Sequence, residues 1–296
     1  MKYILDKFFE KTKGFYPFFK YCPKKYHIHY INRRASETLG YEYNYLKPET
    51  LNEKIRWLIY NEKLNIKSLL TDKIKVKTYI TEKIGEGHCS PIYGIWDSFE
   101  DINFSYLPEH FVLKANHGWN MNLFIDSKKQ IRNSKKSYKK ITQKWLNTNY
   151  EEYSLEPQYR TIEPKLFIER LEQDKKNYKC DFLIHCFNGI PQIIEAHKPD
   201  RSSDFYDTSW NILPYVYKGF SVRNETPKPG ILEEMLEYSK ILAEGFSYVR
   251  IDFLRLPKKT VALEMTFTPY SAMIPFSNKA FDIELGKLIK LPVPSV

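Results

Sequence analysis

Hydrophobic and polar residues alternate in two runs near the end of the chain, residues 248–255 and 260–268, with a short segment containing Pro and Lys between them. A period of two residues is typical of strands, so the pattern predicts a β-hairpin. One face of the hairpin is expected to enter the core, and it comprises Val249, Ile251, Phe253, Val261, Leu263, Met265 and Phe267. The opposite face carries Arg250, Asp252, Glu264 and Thr266.

The rest of the chain shows helical and strand patterns in mixed order. Apolar spacing predicts helices at 51–60, from a Thr71-Asp72 cap to Ile84, and at 134–147, 231–244 and 281–291. Short apolar or alternating runs predict strands at 91–96, 111–114, 123–125, 165–171, 178–187 and 192–196. Asn188-Gly189 predicts a tight turn between the last two of these strands. Helices mixed with hairpins indicate an α+β fold with antiparallel sheets.

The polar face of the last hairpin carries the clearest candidate chemistry. A turn centred on Lys258 would place Asp252 directly across from Glu264. Directly opposed residues have Cβ atoms about 5 Å apart, and two like charges at this distance destabilise a sheet. A cation between them would relieve the repulsion, and hard oxygen ligands favour Mg²⁺ over Zn²⁺. The alternative is a solvated face on which Arg250 neutralises the acidic charge.

The net charge of +10 widens the range of candidate partners. It is compatible with nucleic-acid binding. The basic residues are, however, dispersed among acidic ones, except in the lysine-rich segment 128–144, which is most simply a solvated helix face. An anionic small molecule, an anionic glycan or a membrane surface accounts for the charge equally well. We therefore expect no nucleic-acid partner.

Cysteine spacing and the N-terminal composition bear on localisation. The four cysteines, Cys22, Cys89, Cys180 and Cys186, show no paired metal spacing and no Cys-x-x-Cys. Charges interrupt the first residues too often for a secretory signal, and no run reaches the length of a membrane span. These features predict a cytoplasmic protein with reduced thiols. Residues 1–30, which are basic and aromatic, are expected either to pack on the main body or to anchor the chain peripherally at an anionic membrane.

Three common nucleotide or nucleophile motifs are absent from the sequence: the P-loop, Gly-x-Gly-x-x-Gly and Gly-x-Ser-x-Gly. His185 and His197 flank the Asn-Gly turn and are more simply packed histidines than ligands. The remaining candidates are Lys114 with the loop after it, Glu169, Lys179, Arg250, Asp252 and Glu264. Lysines, an arginine and a carboxylate pair that could hold Mg²⁺ are the groups needed to bind and transfer a phosphoryl group.

Several short segments occur in a characteristic order: Asn52-Glu53-Lys54 with Trp57, Asp72-Lys73, Val112-Leu113-Lys114 with Asn116-His117-Gly118, Lys179 with Phe187-Asn188-Gly189, Tyr206-Asp207 with Trp210, Val249-Arg250-Ile251-Asp252 and Glu264-Met265-Thr266-Phe267. This ordered set, from about Leu51 to Pro292, resembles the TupA-like branch of the ATP-grasp superfamily. That branch is associated with the synthesis of bacterial cell-surface polymers and glycans.

The resemblance implies an α+β ATP-grasp fold, in which two lobes hold ATP between antiparallel sheets, with an additional N-terminal helical extension. The expected domains are a basic, aromatic N-terminal extension at 1–50, a helical and strand subdomain at 51–110 and an ATP-grasp core at 111–296. The lobes of this core are expected at about 111–170 and 171–296. ATP and Mg²⁺ are the implied cofactors.

The resemblance also implies roles for single residues. Lys114 would bind the α- and β-phosphates, and the loop with Asn116, His117, Gly118 and Asn122 would fold over the phosphates. Glu169 would contact the nucleoside. Asp252 and Glu264 would hold Mg²⁺, with Thr266 where many relatives have Asn. Arg250 would face the transferred phosphoryl group, and Lys179, which matches the branch pattern, is assigned a catalytic role.

The implied activity is ATP-dependent carboxylate–amine ligation through an acyl phosphate. The expected acceptor is a uronic acid or amino-acid carboxylate on a capsular or cell-wall glycan or a nucleotide-sugar, with a small amine as co-substrate and a glycosyltransferase as a candidate partner. Arg201 and Arg223 are candidates for holding the carboxylate, on charge alone. Two alternatives are a glycan kinase and a nucleotide- or glycan-binding module without catalysis, since bulky Trp119 stands where relatives have small residues.

Overall fold

A computed structural model describes residues 24–62, 64–172, 181–256 and 259–292. The α-helices in these ranges are α1 (Lys24–Leu39), α2 (Leu51–Asn61), α3 (Leu64–Thr71), α4 (Lys75–Ile84), α5 (Lys128–Leu146), α6 (Tyr150–Ser154), α7 (Leu232–Leu242) and α8 (Lys279–Lys287). The strands are β1 (Ile92–Trp96), β2 (Phe111–Ala115), β3 (Asn122–Ile125), β4 (Leu166–Arg170), β5 (Asp181–Phe187), β6 (Ile190–His197), β7 (Ser203–Tyr206), β8 (Ile212–Leu213), β9 (Tyr248–Leu254) and β10 (Val261–Thr266). In the described part of the chain, no helix is long and apolar enough to cross a membrane.

The strands form two antiparallel sheets, and this confirms the predicted α+β class. The first sheet has the order β1-β4-β2-β3, and the second has the order β10-β9-β5-β6-β7-β8. Because β1 pairs with β4, residues 92–96 lie in the same sheet as strands from the expected 111–170 lobe. The domain boundaries themselves stay a prediction.

The first sheet packs its apolar side chains into a core with α5. Phe111 and Leu113 of β2 and Ile168 of β4 are fully buried there. In α5 only Ile131 and Thr142 are buried, so its lysine-rich face is solvated, as predicted. The helix starts at Lys128 rather than near 134, because the Gln130 side chain accepts hydrogen bonds from the amides of Asp126 (2.7 Å) and Ser127 (3.3 Å).

The second sheet is covered by helices on both faces. Apolar residues of α4 and α7 pack against one face, around the fully buried Ile184 and Ile251. Helices α2 and α8 pack against the other, around Phe187 and Phe205. These two layers bury the central strands β5 and β9 and pack against the hairpin of β9 and β10.

The β9–β10 hairpin is confirmed, with Asp252 directly across from Glu264. Nearer the turn, Phe253 pairs with Ala262, so a bulge between Ala262 and Glu264 shifts the register by one residue. The predicted core position of Leu263 is therefore wrong: Leu263 is only half-buried, and Ala262 fills the core beside Phe253. The bulge places Glu264 opposite Asp252, and the predicted turn residue Lys258 lies outside the described residues.

A left-handed turn follows the hairpin. Tyr270, Ser271 and Ala272 have φ angles of 52°, 54° and 58°, a conformation that costs roughly 1–2 kcal/mol for each residue with a side chain. The buried side chains around the turn hold it: the Tyr43 hydroxyl donates to the Ala272 carbonyl at 2.6 Å, and the Arg56 guanidinium donates to the Ser271 carbonyl. Backbone strain held in this way is characteristic of binding sites.

Candidate active site

A cavity of about 640 Å³ lies against the polar face of β9 and β10. Arg250 and Asp252 of β9 and Glu264 and Thr266 of β10 all line it. These four residues share one face because side chains two positions apart on a strand point the same way. The structure thus brings together the four candidates that the hairpin pattern predicted.

Each carboxylate of the opposed pair has its own cation. The Nε and Nη2 atoms of Arg250 donate to the two carboxylate oxygens of Asp252, both at 2.7 Å. The ammonium of Lys73 donates to Oε2 of Glu264 at 2.8 Å. The hydroxyl of Thr266 lies 3.4 Å from Oδ2 of Asp252 and 3.4 Å from Oε1 of Glu264. The two carboxylates and the hydroxyl therefore face one small volume.

Burial and the neighbouring charges act differently on the two acids. Burial raises the pKa of Asp252 to about 7, because it outweighs the opposing effect of Arg250. Burial also opposes ionisation of Glu264, but the charges of Lys73 and Arg250 outweigh it and lower the pKa of Glu264 to about 2. Two carboxylates in contact retain a proton more readily than two separated ones.

This donor set fits Mg²⁺. In the described ranges, no group of three or more His, Cys, Asp or Glu side chains converges on a metal position. Mg²⁺ is, however, commonly held by only one or two carboxylates, with substrate phosphates and water completing the shell. Asp252 and Glu264 would hold the ion, and the Thr266 hydroxyl would supply a neutral oxygen.

A second cluster lies on the first sheet, around Glu169 of β4. Its carboxylate is buried and forms ion pairs with Lys114 of β2 and, at 2.8 Å, with Lys77 of α4. Burial opposes ionisation of Glu169, but the two ammonium groups outweigh it and lower its pKa. Lys77 was not among the predicted site residues. Two lysines on one carboxylate provide a cationic position that suits phosphate oxygens.

The loop after β2 is anchored by its own side chains. The Asn116 side chain donates to the carbonyl of Glu163 at 3.0 Å and accepts from the amide of Lys165 at 2.8 Å. A Cβ atom at Gly118 would lie 2.7 Å from the sulfur of Met121 and 2.8 Å from the ring of Tyr150, so a larger residue there would displace these side chains. Asn122 begins β3, paired with Lys114. The phosphate-binding role of these residues stays a prediction.

His117 is buried in the same loop and carries an unused nitrogen. One ring nitrogen, Nε2, lies 3.0 Å from the carbonyl of Trp145. The other, Nδ1, has no hydrogen-bond partner in the described part of the chain. Burial lowers the pKa of His117, and the nearby Lys73 lowers it further, although the Trp145 carbonyl opposes the shift. A neutral imidazole with a free nitrogen is suited to a hydrogen bond with a bound ligand.

The lowered pKa of His117 predicts a pH-dependent stability. The unfolded histidine takes up its proton near pH 6.5, whereas the folded one does so at lower pH. The free energy of unfolding is therefore expected to fall as the pH decreases below about 6.5, by at most about 1.4 kcal/mol per pH unit for this proton. Urea unfolding of wild type and His117→Gln at pH 7.5 and 5.5 measures this effect. A variant with the same pH dependence as the wild type would contradict the assignment.

Lys73 connects the two sheets. Its backbone amide donates to the carbonyl of Asn116 at 3.1 Å, in the loop of the first sheet. Its ammonium holds Glu264 in the second sheet, at 2.8 Å. The segment Asp72-Lys73 belongs to the ordered set of motifs in the sequence, so Lys73 was noted there. Its spacing alone did not indicate that it would pair with Glu264.

A buried acid–histidine network lies behind Arg250. Glu195 is fully buried and contacts Ser203 (2.6 Å), Tyr217 (2.8 Å), His197 (3.2 Å) and His185 (3.3 Å). Burial opposes ionisation of Glu195, but His185 and His197 outweigh it and hold the pKa of Glu195 well below its usual range. The two histidines are packed against Glu195 and Tyr248, and Glu195 was not among the predicted site residues. The polar residues within the two strands that flank the Asn-Gly turn were the sequence feature that could have indicated this network.

The remaining predicted residues lie in different places. Arg201 and Trp119 line the cavity, and the side chain of Trp119 is 65% exposed rather than filling the interior. Arg223 is paired with Asp200 at 2.9 Å and does not line the cavity. Lys179 lies outside the described residues, as do Cys22 and Cys180 and the aromatic segment before residue 24. Cys89 and Cys186 are free thiols.

Comparison with known proteins gives the family. The model of the TupA-like ATP-grasp family matches residues 53–290. No curated protein sequence matches the chain. Among solved structures, the D-alanine–D-alanine ligase from Helicobacter pylori is 15% identical with a TM-score of 0.44, and the alignment covers 81% of this chain and 69% of the ligase. The D-alanine–D-alanine ligase from Bacillus anthracis complexed with ATP is 13% identical with a TM-score of 0.38, over 75% of this chain and 68% of the ligase.

Proposed function

The chain belongs to the TupA-like ATP-grasp family, and from this premise we propose that it is a carboxylate–amine ligase that uses MgATP. Members of the ATP-grasp superfamily are ATP-dependent ligases, and binding of ATP with Mg²⁺ is typical of them. The observation that carries the proposal is the opposed pair of Asp252 and Glu264, with Arg250 beside it, in the wall of a cavity. This arrangement supports activation of a substrate carboxylate by phosphoryl transfer.

The proposed reaction has two steps. A carboxylate oxygen of the acceptor attacks the γ-phosphorus of ATP, the bond from this phosphorus to the β,γ-bridging oxygen breaks, and an acyl phosphate and ADP form. An amine nitrogen then attacks the acyl carbon, the bond to the phosphate oxygen breaks, and an amide and inorganic phosphate result. The amine loses its proton to solvent. Mg²⁺ supplies charge neutralisation on the transferred phosphoryl group.

The chain's own residues position and neutralise the reacting groups. The guanidinium of Arg250 would contact the negative charge of the transferred group and later the oxyanion at the acyl carbon. Glu195 and Asp252 hold Arg250 in place by their charges, and they raise its pKa well above the usual value although burial opposes this. Lys114 and Lys77 would bind the nucleotide phosphates, and Glu169 would contact the nucleoside. Lys179 is proposed to assist catalysis.

The acceptor is proposed to be anionic, a uronic acid or amino-acid carboxylate on a capsular or cell-wall glycan. The net charge of +10 and the arginines in the cavity wall support this choice. A peripheral position at a membrane or beside a glycosyltransferase would bring the enzyme to such an acceptor.

The decisive experiment measures ADP release by the full chain with MgATP, a panel of uronic and amino acids and a panel of small amines. We expect ADP and an amide, identified by mass spectrometry, in amounts that depend on both the acceptor and the amine. A phosphorylated glycan formed without amine would overturn the ligase proposal and favour the glycan kinase. ATP binding without any ADP release across the panel would also overturn it, in favour of a binding module.

A further inference from the structure

We propose that Arg34 and Arg201 form a second anion-binding position in the cavity, apart from the Asp252–Glu264 pair, that holds an oxyanion of the acceptor. This inference rests on the proposed ligase function and specifies its substrate class. The acceptor would be a dianion, with one carboxylate at Arg250 and a second oxyanion, a carboxylate or a phosphate ester, at Arg34 and Arg201.

The distribution of ion pairs in the cavity is the first argument. The lining cations Arg250 and Lys73 are each neutralised by one carboxylate of the hairpin. Arg34 and Arg201 line the same cavity, and within the described ranges neither side chain forms an ion pair. An arginine at a cavity wall without a protein carboxylate can bind an anionic ligand in bidentate fashion.

The other acidic groups in the lining are placed differently. Glu156 is buried and accepts hydrogen bonds from the hydroxyls of Ser271, at 3.1 Å, and Thr268. Asp181 lies on β5 directly across from His197. Neither carboxylate forms an ion pair with Arg34 or Arg201 in the part of the chain that the structure describes. The two guanidinium groups therefore leave positive charge for a ligand.

Arg201 lies at the cavity wall in a strained backbone turn. Arg201 has a φ of 68°, a left-handed conformation that is costly for a residue with a side chain. The turn is closed by hydrogen bonds from the amide of Lys198 to the carbonyl of Ser202 and from the amide of Arg201 to the carbonyl of Lys198, both 2.9 Å. Strain retained at an exposed turn beside a cavity indicates a functional constraint on Arg201.

Arg34 reaches the cavity from helix α1. Ile31 and Ala35 of this helix are buried against Leu155 and Met273, so the helix is docked onto the main body. The match to the TupA-like family begins only at residue 53, so α1 lies outside the matched region. Arg34 therefore lines the cavity from outside the region shared with the family. A residue that determines acceptor specificity is expected to differ in this way between family members.

Calorimetry on the full chain with Mg²⁺ and a non-hydrolysable ATP analogue tests the proposal. Gluconate carries one carboxylate, glucarate carries two, and 6-phosphogluconate carries a carboxylate and a phosphate. We expect at least one of the two dianions to bind about tenfold more tightly than gluconate, because a charge-assisted pair with arginine contributes about that factor. The preferred dianion identifies the second group as a carboxylate or a phosphate.

Matched arginine variants localise the effect. Arg34→Gln and Arg201→Gln are each expected to reduce the preference for the dianion over gluconate to less than threefold. Arg33→Gln, on the same helix but bonded to Glu37 at 3.0 Å, and Arg223→Gln, paired with Asp200, are expected to keep the preference. The site is overturned if neither dianion is preferred or if the preference survives in both variants. Failure of ADP release with bound dianion would overturn the ligase proposal instead.

Discussion

Asp252→Asn and Glu264→Gln are each expected to lower the rate of ADP formation by about 10²- to 10³-fold, the usual cost of removing one group that stabilises transition-state charge. Each replacement removes one of the two carboxylates on the same hairpin face. The amides are close in size to the acids, so the hairpin should form as before. A coupled assay of ADP release at saturating MgATP measures the effect.

Nucleotide-dependent stabilisation provides an independent measurement for the same variants. A ligand present at one hundred times its dissociation constant stabilises a fold by about 2.7 kcal/mol. We expect MgATP to stabilise the wild type by this order and to stabilise neither variant comparably. Glu237→Gln, an exposed acid on α7, is the control and should behave as the wild type. Equal stabilisation of all proteins by MgATP would show that the pair does not hold the metal.

Arg56→Met is expected to lower the free energy of unfolding by about 2–6 kcal/mol, because two buried carbonyl oxygens lose their donor at a cost of about 1–3 kcal/mol each. The Arg56 side chain is fully buried, and its guanidinium donates to the carbonyl of Leu155 at 3.1 Å and to that of Ser271. Both acceptors belong to residues in the left-handed conformation, with φ angles of 60° and 54°. Without Arg56 the two buried carbonyls lose a donor and the strained turn loses a restraint.

Urea unfolding of Arg56→Met quantifies this loss, with Arg132→Met on the exposed face of α5 as the matched control. The control should lie within about 0.5 kcal/mol of the wild type, as surface substitutions usually do. A loss below about 1 kcal/mol for Arg56→Met would show that the turn is stable without the arginine. In that case the left-handed conformation would have to be maintained by Tyr43 and the neighbouring packing alone.

The parts of the fold that depend on local patterns could be predicted from the sequence. The alternation around Asp252 and Glu264 placed both acids on one face of a hairpin, because strand periodicity and turn chemistry act over a few residues. The register near Leu263 was wrong, since a bulge inserts one residue without a distinct sequence signal. The short strands β7 and β8 and helix α3 were also missed, because two to eight residues give too little periodicity.

The contacts that complete the site come from distant parts of the chain and could not be predicted. Lys73 meets Glu264 across 191 residues, and Arg56 meets Ser271 across 215. Such pairs are determined by how helices pack on the sheets, and this packing cannot be derived from the local patterns of a single sequence. Lys114 and Glu169 were each predicted, but their ion pair follows from the pairing of β2 with β4, which periodicity does not specify.

The double attachment of Lys73 has a consequence for how ligands bind. A divalent cation between Asp252 and Glu264 would compete with the Lys73 ammonium for Glu264, while the backbone amide of Lys73 is bonded to Asn116 in the loop of the other sheet. Metal binding at the second sheet would thereby act on the segment that is bonded to the loop after β2 in the first sheet. By reciprocity, the factor by which Mg²⁺ changes the affinity for nucleotide equals the factor by which nucleotide changes the affinity for Mg²⁺. With both ligands bound as proposed, Lys73 would couple metal and nucleotide thermodynamically across the two sheets.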